Sequence, residues 1–547
     1  MSIKLHFHGA ARTVTGSNYM IETPTAKVLV DCGMFQGART ETELNYRPFP
    51  YDPNTITALV LTHAHIDHTG LVPKLVKNGF NKTIHATPGT IDLCSIMLPD
   101  SGFIQEMEVK KLNQRNAKRG LPEVVPIYGL IDATAALALM QPHNYETWFE
   151  PAPGIRMRYW NAGHLLGSTS IETEITEPGQ KTVRLLFSGD IGPDSKMLEH
   201  DPEAPVSWDY VVCESTYGAR DRFEREPTKR REILADILKS AAAKQGVLLI
   251  PSFAVERTQE VVTDIVYVMD HGLAPKANIF IDSPLANKAT AIFRKHASEM
   301  ESGEDLAKAF NSPLVRGTES VDESKALNLF RGFHIVISAS GMAEAGRIRH
   351  HLRNRLWQKS TTVLLVGFQA KGSLGSMLED GVKQVKIMGE DVIVAATITK
   401  LDDYSGHADG PELVQWLKER LPITGSVFLT HGEDAPQQAL AENIRGKIVK
   451  DDCIIRPRLD DVYDISSKAC ALLTSETKPR IDQASVAKLD WNNDLQGLML
   501  DIETQLKNTA DVKGKAALVR KLRRSLEDNA GQNPPNKSGE RKSGVDE

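Results

Sequence analysis

Six residues, His63-Ala64-His65-Ile66-Asp67-His68, stand one residue after the apolar run Ala58-Leu59-Val60-Leu61. Four of the six are imidazoles or carboxylates, the donors that suit zinc at a site with a position left for water. Continued in an extended chain, alternation places His63, His65 and Asp67 on one side, and His68 turns into a following helix. One such loop can serve two neighbouring metals. The bland alternative is a polar turn that happens to be rich in His. With 16 His in 547 residues, three of them and an Asp within six positions argue for ligand chemistry instead.

Short β-branched runs alternate with helical patterns along the chain, as in a layered α/β fold. Residues 27–30, 58–61, 83–86, 157–160 and 183–187 read as strands, and four of them stop near Asp31, His63, His164 and Asp190. Polar groups gathered at strand ends are typical of sites built on loops above a rigid sheet. Residues 101–128 are charged and helical and are expected outside the sheet. The runs 210–213, 247–250, 278–281, 334–338 and 362–367 read as a second α/β unit. Residues 392–398 and 426–430, the latter ending at His431, return to the style of the first part. A first domain interrupted by a second explains that order. Residues 488–525 have helical periodicity and rising positive charge, and 529–547 lack apolar periodicity, which predicts disorder.

A chain of 547 residues is too long for one ordinary core. Its 41% hydrophobic and 25% charged residues are those of a soluble globular protein. No apolar run approaches the roughly 18 residues that span a bilayer, and the N-terminus lacks a secretory pattern. The five cysteines (Cys32, Cys94, Cys213, Cys453 and Cys470) are odd in number and never form a CxxC pair. That argues against a disulfide framework or zinc knuckle and fits a reducing cytoplasm, the expected location. Cys32 and Cys213 adjoin acidic residues, yet each ends an apolar run, where packing is the expected role. The net charge of −6 gives no global nucleic-acid footprint, although a local basic groove remains compatible with it.

Three further motifs offer ligands: Asn161-Ala162-Gly163-His164, Ser188-Gly189-Asp190 and Thr430-His431-Gly432-Glu433. Taken singly, each His or Asp is ordinary. With the six-residue motif, in this order, they resemble the metallo-β-lactamase superfamily, an αββα sandwich with one or two metals at its rim. The resemblance implies His63, His65 and His164 on one zinc and Asp67, His68 and His431 on the other. Asp190 would bridge them, and Asp31 would orient ligands from behind.

The chain further resembles the β-CASP nucleases, which carry an α/β cassette inserted in that sandwich. Glu214 in Val212-Cys213-Glu214-Ser215-Thr216-Tyr217-Gly218 and His407 in Ser405-Gly406-His407-Ala408-Asp409 match their additional motifs. So do Pro251-Ser252-Phe253-Ala254-Val255-Glu256-Arg257, Asp282-Ser283-Pro284-Leu285-Ala286 and Ser340-Gly341-Met342 with Gly346-Arg347. Glu256 departs mildly, since many relatives carry Gly there. The implied organisation is a lactamase domain in two parts, 1–208 and 393–472, around a cassette at 209–392. A helical extension at 473–528 and a disordered tail at 529–547 would follow.

The implied activity is zinc-dependent hydrolysis of phosphodiesters in single-stranded RNA, endonucleolytic or from the 5′ end. A hydroxide between the metals would attack. Asp67 would join that chemistry, and His407, oriented by Glu214, would protonate the departing 3′-oxygen. Arg257, Arg347 and Ser405 are candidate phosphate contacts. Neighbouring His350 and His351 cannot both face one site on a helix. A His/Asp set also accepts manganese or iron. Alternatives are a small-ester or thioester hydrolase of the same fold, a DNA nuclease of the same family, and a non-catalytic scaffold. The scaffold is disfavoured because every ligand position is filled. The sequence leaves a homodimer open, implies no membrane partner, and offers the basic C-terminal helix to RNA or a protein.

Overall fold

The computed structural model describes residues 2–37, 39–222, 227–369, 372–466, 470–475, 506, 511 and 513–521. The chain forms two compact units, Met1–Asp482 and Gln483–Glu547. In the second unit 513–521 is helical, while the remainder of the expected extension beyond 475 is mostly, and the 529–547 tail wholly, outside the described residues.

Among the described residues, the first unit holds two sandwich sheets, a third sheet in the insert and a two-stranded hairpin. The first sandwich sheet runs Ala471–Thr474, Asp461–Asp464, Lys4–Phe7, Tyr19–Glu22, Lys27–Val30, Ala58–Val60, Ile84–Ala86 and Met140–Pro142. The second runs Ile454–Ile455, Ile423–Thr430, Trp208–Glu214, Val183–Phe187, Thr169–Ile175, Ile155–Asn161 and Phe149–Ala152. Alternation sorts their side chains. Val28 and Val30 turn inward with Phe7, Tyr19, Leu185, Phe187, Val212 and Phe428, while Leu29 turns out toward the helices. Phe7 and Phe428 meet across the layers with ring centroids 5.1 Å apart. Helices Val72–Lys77, Pro88–Arg119 and Leu130–Leu137 cover the first sheet, and Gly410–Glu419 and Asp434–Ile444 cover the second.

Pro88–Arg119 realises the charged helix expected at 101–128 but starts earlier and stops sooner. Thr87 caps it, its side chain accepting from the Thr90 amide, with Pro88 at the first position, and Gly120 ends it at φ 65°.

The insert carries a six-stranded, all-parallel sheet, in the order Val315–Gly317, Asn278–Ile281, His334–Ser338, Val247–Pro251, Thr362–Leu365 and Thr397–Lys400. Two sequence expectations change here. The strand at 210–213 belongs to the sandwich, lying parallel to both Val183–Phe187 and Ile423–Thr430. Its Tyr210 and Val212 face the inter-sheet core, while Val211 and Cys213 face the outer helices. Buried on both sides, it reads as the same continuous apolar run as a cassette strand. The run 392–398 also divides: Glu390–Ile393 pairs in a hairpin with Gln384–Ile387, and Thr397–Lys400 edges the cassette sheet. Sheet membership therefore puts the strands of the cassette sheet between Val247 and Lys400, the first beginning inside the expected 209 and the last running past the expected 392.

All five cysteines are free, and burial pushes the Cys32 and Cys94 thiols up to about 12, in keeping with a packing role. No helix among the described residues is long and apolar enough to cross a membrane.

Candidate metal and catalytic site

Every candidate ligand lies just past the C-terminal end of a sandwich strand or on the turn that follows it. Asp31 follows Lys27–Val30, and His63 and His65 follow Ala58–Val60. His164, Asp190 and His431 follow Ile155–Asn161, Val183–Phe187 and Ile423–Thr430. The extended alternation expected through Asp67 ends at His65. Ile66–Thr69 is a helical turn, so Asp67 and His68 reach the site from a helix. Asp31 and His431 hold φ of 60° and 47°, a left-handed backbone that non-glycine residues adopt at a cost and that concentrates at functional sites.

The side chains converge as two sets. His63, His65, His164 and Asp190 bring one donor atom each within 4.8 Å of the others, as do Asp67, His68, Asp190 and His431. His65 Nδ1 lies 3.2 Å from His63 Nε2 and 3.1 Å from His164 Nε2, and His68 Nε2 lies 3.2 Å from His431 Nε2. Four donors about 2.0–2.1 Å from a tetrahedral ion are separated by about 3.3 Å, so the nitrogens stand near ligand spacing. Asp190 divides its carboxylate. Oδ2 is 3.5 Å from His63 and 3.7 Å from His164, and Oδ1 is 3.3 Å from His68 and 3.5 Å from His431. Oδ1 is buried without a hydrogen bond, a costly state for a carboxylate oxygen that a bound cation relieves.

Orientation agrees with this donor set, and charge agrees with it at His63, His65 and His164. Burial first, then neighbouring imidazoles, holds His63 and His164 well below the usual histidine range, and burial brings His65 down to about 4. Neutral imidazole is the form that binds a metal. Burial opposes charge on His68 too, but Asp190 and then Asp31 outweigh it and raise that group. His68 Nδ1 donates to Asp31 Oδ2 at 2.7 Å, which leaves Nε2 for the site. Thr62 braces Asp31, its amide donating to Oδ1 at 2.8 Å and its hydroxyl to Oδ2 at 2.7 Å. His164 Nδ1 donates to the Gly406 carbonyl at 2.6 Å, and Thr216 Oγ1 lies 3.0 Å from His431 Nδ1. These donors fit a divalent metal.

Two glycines make the approach possible. A Cβ on Gly406 would come within 3.0 Å of the His164 ring, and one on Gly33 within 1.6 Å of the Asp67 carbonyl oxygen. Gly33→Ala must push back the turn that carries Asp67 and His68. We expect it to lower stability by about 1–3 kcal/mol or more, measured by chemical denaturation, and to reduce bound metal. Unchanged stability and metal content would contradict this packing.

Beside the ligands lies a second group. His407 Nδ1 is 3.1 Å from Glu214 Oε1 and 4.0 Å from Asp190 Oδ2. Glu214 is buried and fixed, Oε1 accepting from the Ile191 amide at 2.7 Å and Oε2 from the Thr216 amide at 3.2 Å. Ser405 lies on the same loop, its hydroxyl accepting weakly from the His407 amide at 3.4 Å.

The arginine expectations do not fit as well. Arg257 is buried and donates to the Val366 carbonyl at 2.6 Å, so as placed it serves packing rather than a phosphate. Arg347 donates to Asp282 Oδ1 at 2.7 Å and to the Glu319 carbonyl at 2.6 Å. His351 is buried against Asp282 Oδ2 at 2.6 Å, and His350 is exposed. Arg347 and His351 are taken up by an ionic cluster around Asp282 inside the cassette.

Sequence reading missed Thr62, Thr216 and Lys196. Thr62 adjoins His63, and Thr216 lies two residues past Glu214 in the same motif. Lys196 adjoins neither motif. It is buried, donates to the His164 carbonyl and pairs with the Glu256 carboxylate, tying the cassette to the back of the metal site. Burial, then Glu260, against the pull of Lys196, raises Glu256 to about 7, and burial also raises nearby Glu199. A carboxyl raised on folding supports the fold fully below its unfolded value of about 4.5 and loses that support as pH climbs through about 7. Glu256→Gln removes this loss. Its stability relative to the native protein should rise by roughly 2–3 kcal/mol between pH 5 and pH 8. Parallel pH–stability curves for the two proteins would refute this.

Comparison with known proteins follows the same outline. The Metallo-beta-lactamase superfamily profile matches residues 11–92, the Beta-Casp domain 258–378, and the Zn-dependent metallo-hydrolase RNA specificity domain 391–457. The chain is similar to Ribonuclease TTHA0252 of Thermus thermophilus, with 34% identity over 442 residues, covering 79% of this chain and 94% of that one. It is also similar to Transcription termination factor FttA of Methanosarcina mazei, with 27% identity over 460 residues, covering 80% of this chain and 68% of that one. The chain belongs to the β-CASP family of the metallo-β-lactamase superfamily, with a cassette inserted in an αββα sandwich whose rim gathers its His and Asp donors.

Proposed function

We propose that this protein is a ribonuclease that hydrolyses phosphodiesters of single-stranded RNA with two zinc ions. His63, His65 and His164 would hold one ion, Asp67, His68 and His431 the other, and Asp190 would be shared. The observation that carries the reading is the His407–Glu214 pair beside the two donor sets, at 3.1 Å from each other and with His407 4.0 Å from Asp190. A thioester hydrolase needs the metals but has no use for a second, oriented imidazole.

When bound, such ions bring the pKa of a shared water toward neutrality and neutralise the phosphoryl oxygens. The chain's own residues do the rest. Glu214, fixed by two backbone amides, accepts from His407 Nδ1 and so turns Nε2 outward. From there the imidazolium gives its proton to the departing 3′-oxygen, which is a poor leaving group unprotonated. The products are a 5′-phosphate and a 3′-hydroxyl. Asp31 and Thr62 keep His68 in the tautomer that presents Nε2, and the Gly406 carbonyl does the same for His164. The residues around Asp190 thus orient donors, and the cassette-side loop handles the proton. Similarity to a protein named as a ribonuclease and a match to an RNA specificity domain support RNA as the polymer.

The test is incubation of the full chain with 5′-labelled single-stranded RNA, single-stranded DNA and a small thioester, with and without a chelator. Chelator-sensitive cleavage of RNA, restored by zinc, is expected. Mononucleotide release would mean attack from the 5′ end, and internal fragments an endonuclease. Rapid thioester hydrolysis without RNA cleavage would sink the proposal, and preference for DNA would move it to the other nucleic acid.

A further inference from the structure

The mouth of this site carries aromatic rings that the chemistry above does not use. Tyr217, three residues past Glu214, meets the His407 ring edge-on at 5.7 Å and the Phe368 ring at 6.5 Å. Phe368 comes from the cassette and is 43% exposed, although its neighbours Gly367 and Gln369 are buried. Its turn is pinned, Gln369 Nε2 donating to the Gly367 and Gly341 carbonyls at 3.1 Å each. Tyr217 is equally fixed, bridged in parallel to Asp409, two residues beyond His407. The Arg220 guanidinium is layered 4.9 Å from the Tyr217 ring and 5.0 Å from the Phe368 ring, and that of Arg222 lies 4.2 Å from Tyr217.

A lone exposed phenyl ring would need no explanation. This one stands on an immobilised turn, next to a second ring and an exposed arginine, at the edge of the proton donor. Rigid aromatic faces flanked by cations are how unpaired bases are held without regard to their identity. We propose that Phe368, with Tyr217 and Arg220, is a stacking platform for one unpaired base of the bound strand. It holds the nucleotide immediately 5′ to the scissile phosphate. That nucleotide carries the departing 3′-oxygen, and His407, against which Tyr217 packs, is the residue that protonates it. The assignment to this nucleotide rests on the proposed function; the stacking itself does not. Phe368 is then a positioning residue, setting the leaving oxygen against His407 and admitting any base.

The platform is tested first without catalysis. Full-length protein in chelator is titrated with a fluorescent single-stranded oligoadenylate and measured by anisotropy. Phe368→Ala should weaken binding about 10-fold at unchanged thermal stability, Phe368→Tyr should bind like the native protein, and Phe368→Leu should recover little, since it restores bulk without a π-face. One abasic residue, moved along the oligonucleotide, should weaken native binding by a similar factor at one position and leave Phe368→Ala unaffected there. Native-like affinity in Phe368→Ala or Phe368→Leu, or penalties that multiply at every position, overturns the platform. With zinc restored, cleavage directly 3′ to an abasic nucleotide should be depleted for the native protein but not for Phe368→Ala; depletion elsewhere overturns the placement. A protein that shows the binding pattern but cuts no RNA sinks the ribonuclease reading and leaves the platform. One that cuts RNA and ignores Phe368→Ala does the reverse.

Discussion

Asp190→Ala should strip the protein of both proposed metals and abolish cleavage, a loss on the order of 10⁴-fold or more. The reason lies in how its two oxygens are divided. Oδ2 faces His63 and His164, and Oδ1 faces His68 and His431, so one truncation leaves each donor set a ligand short. It also removes negative charge. Asp190 is the largest favourable influence keeping His68 and His431 raised against burial, so its loss leaves imidazoles crowded together with less to offset their repulsion. Burial would push the Asp190 carboxyl up, yet His431, His68 and His63 hold it well below the usual carboxylate range. The carboxylate and the imidazoles therefore depend on each other. Metal content by mass spectrometry of the purified variant decides the matter. Two equivalents of metal retained by Asp190→Ala would show that the residue is not shared. Asp190→Asn, nearly the same shape without the charge, should also lose metal, which separates electrostatics from packing.

His407→Ala should behave oppositely, keeping its metal while cleavage falls by about 10²–10⁴-fold. Its ring is tied to Glu214 and lies beyond hydrogen-bond reach of Asp190. The defect should also depend on the leaving group. p-Nitrophenolate departs without protonation, so the variant should hydrolyse a p-nitrophenyl phosphodiester almost as fast as the native protein. Glu214→Gln should show a milder form of the same pattern. His407, Asp190 and Glu214 also bring one donor atom each within 4.8 Å of the others. Zinc loss in His407→Ala equal to that in His65→Ala would make His407 a ligand and take the proton donor out of the mechanism.

The rim location of the candidate donors was legible in the sequence because most stand where an apolar run stops, and sheet geometry carries strand ends to a common rim. Taken singly, His63, His164, Asp190 and His431 were ordinary, and the family resemblance is what joined them into one candidate donor set. The register of Asp67 was not legible, since four residues of helix between Ile66 and Thr69 leave no periodicity to read. Nor was the membership of Trp208–Glu214: a strand buried on both faces has the same composition whichever sheet takes it. Arg257 misled for a related reason. A guanidinium near a Gly-containing turn suits a phosphate or a carbonyl equally, and here the Val366 carbonyl holds it. Lys196 and Phe368 had no local signal. Their meaning comes from partners distant in sequence, Glu256 and His164 for one and Tyr217 for the other.

The return of the chain from the cassette into the sandwich also orders events in time. His407 and His431 lie beyond the cassette sheet, and Ile423–Thr430 must pair with Trp208–Glu214 before His431 can face His68. A chain still growing on a ribosome therefore lacks His407, the proposed proton donor, and His431, one end of the candidate donor set, until the whole cassette has been made. For a nuclease born beside messenger and ribosomal RNA, that order of assembly delays activity until the chain has returned from the cassette.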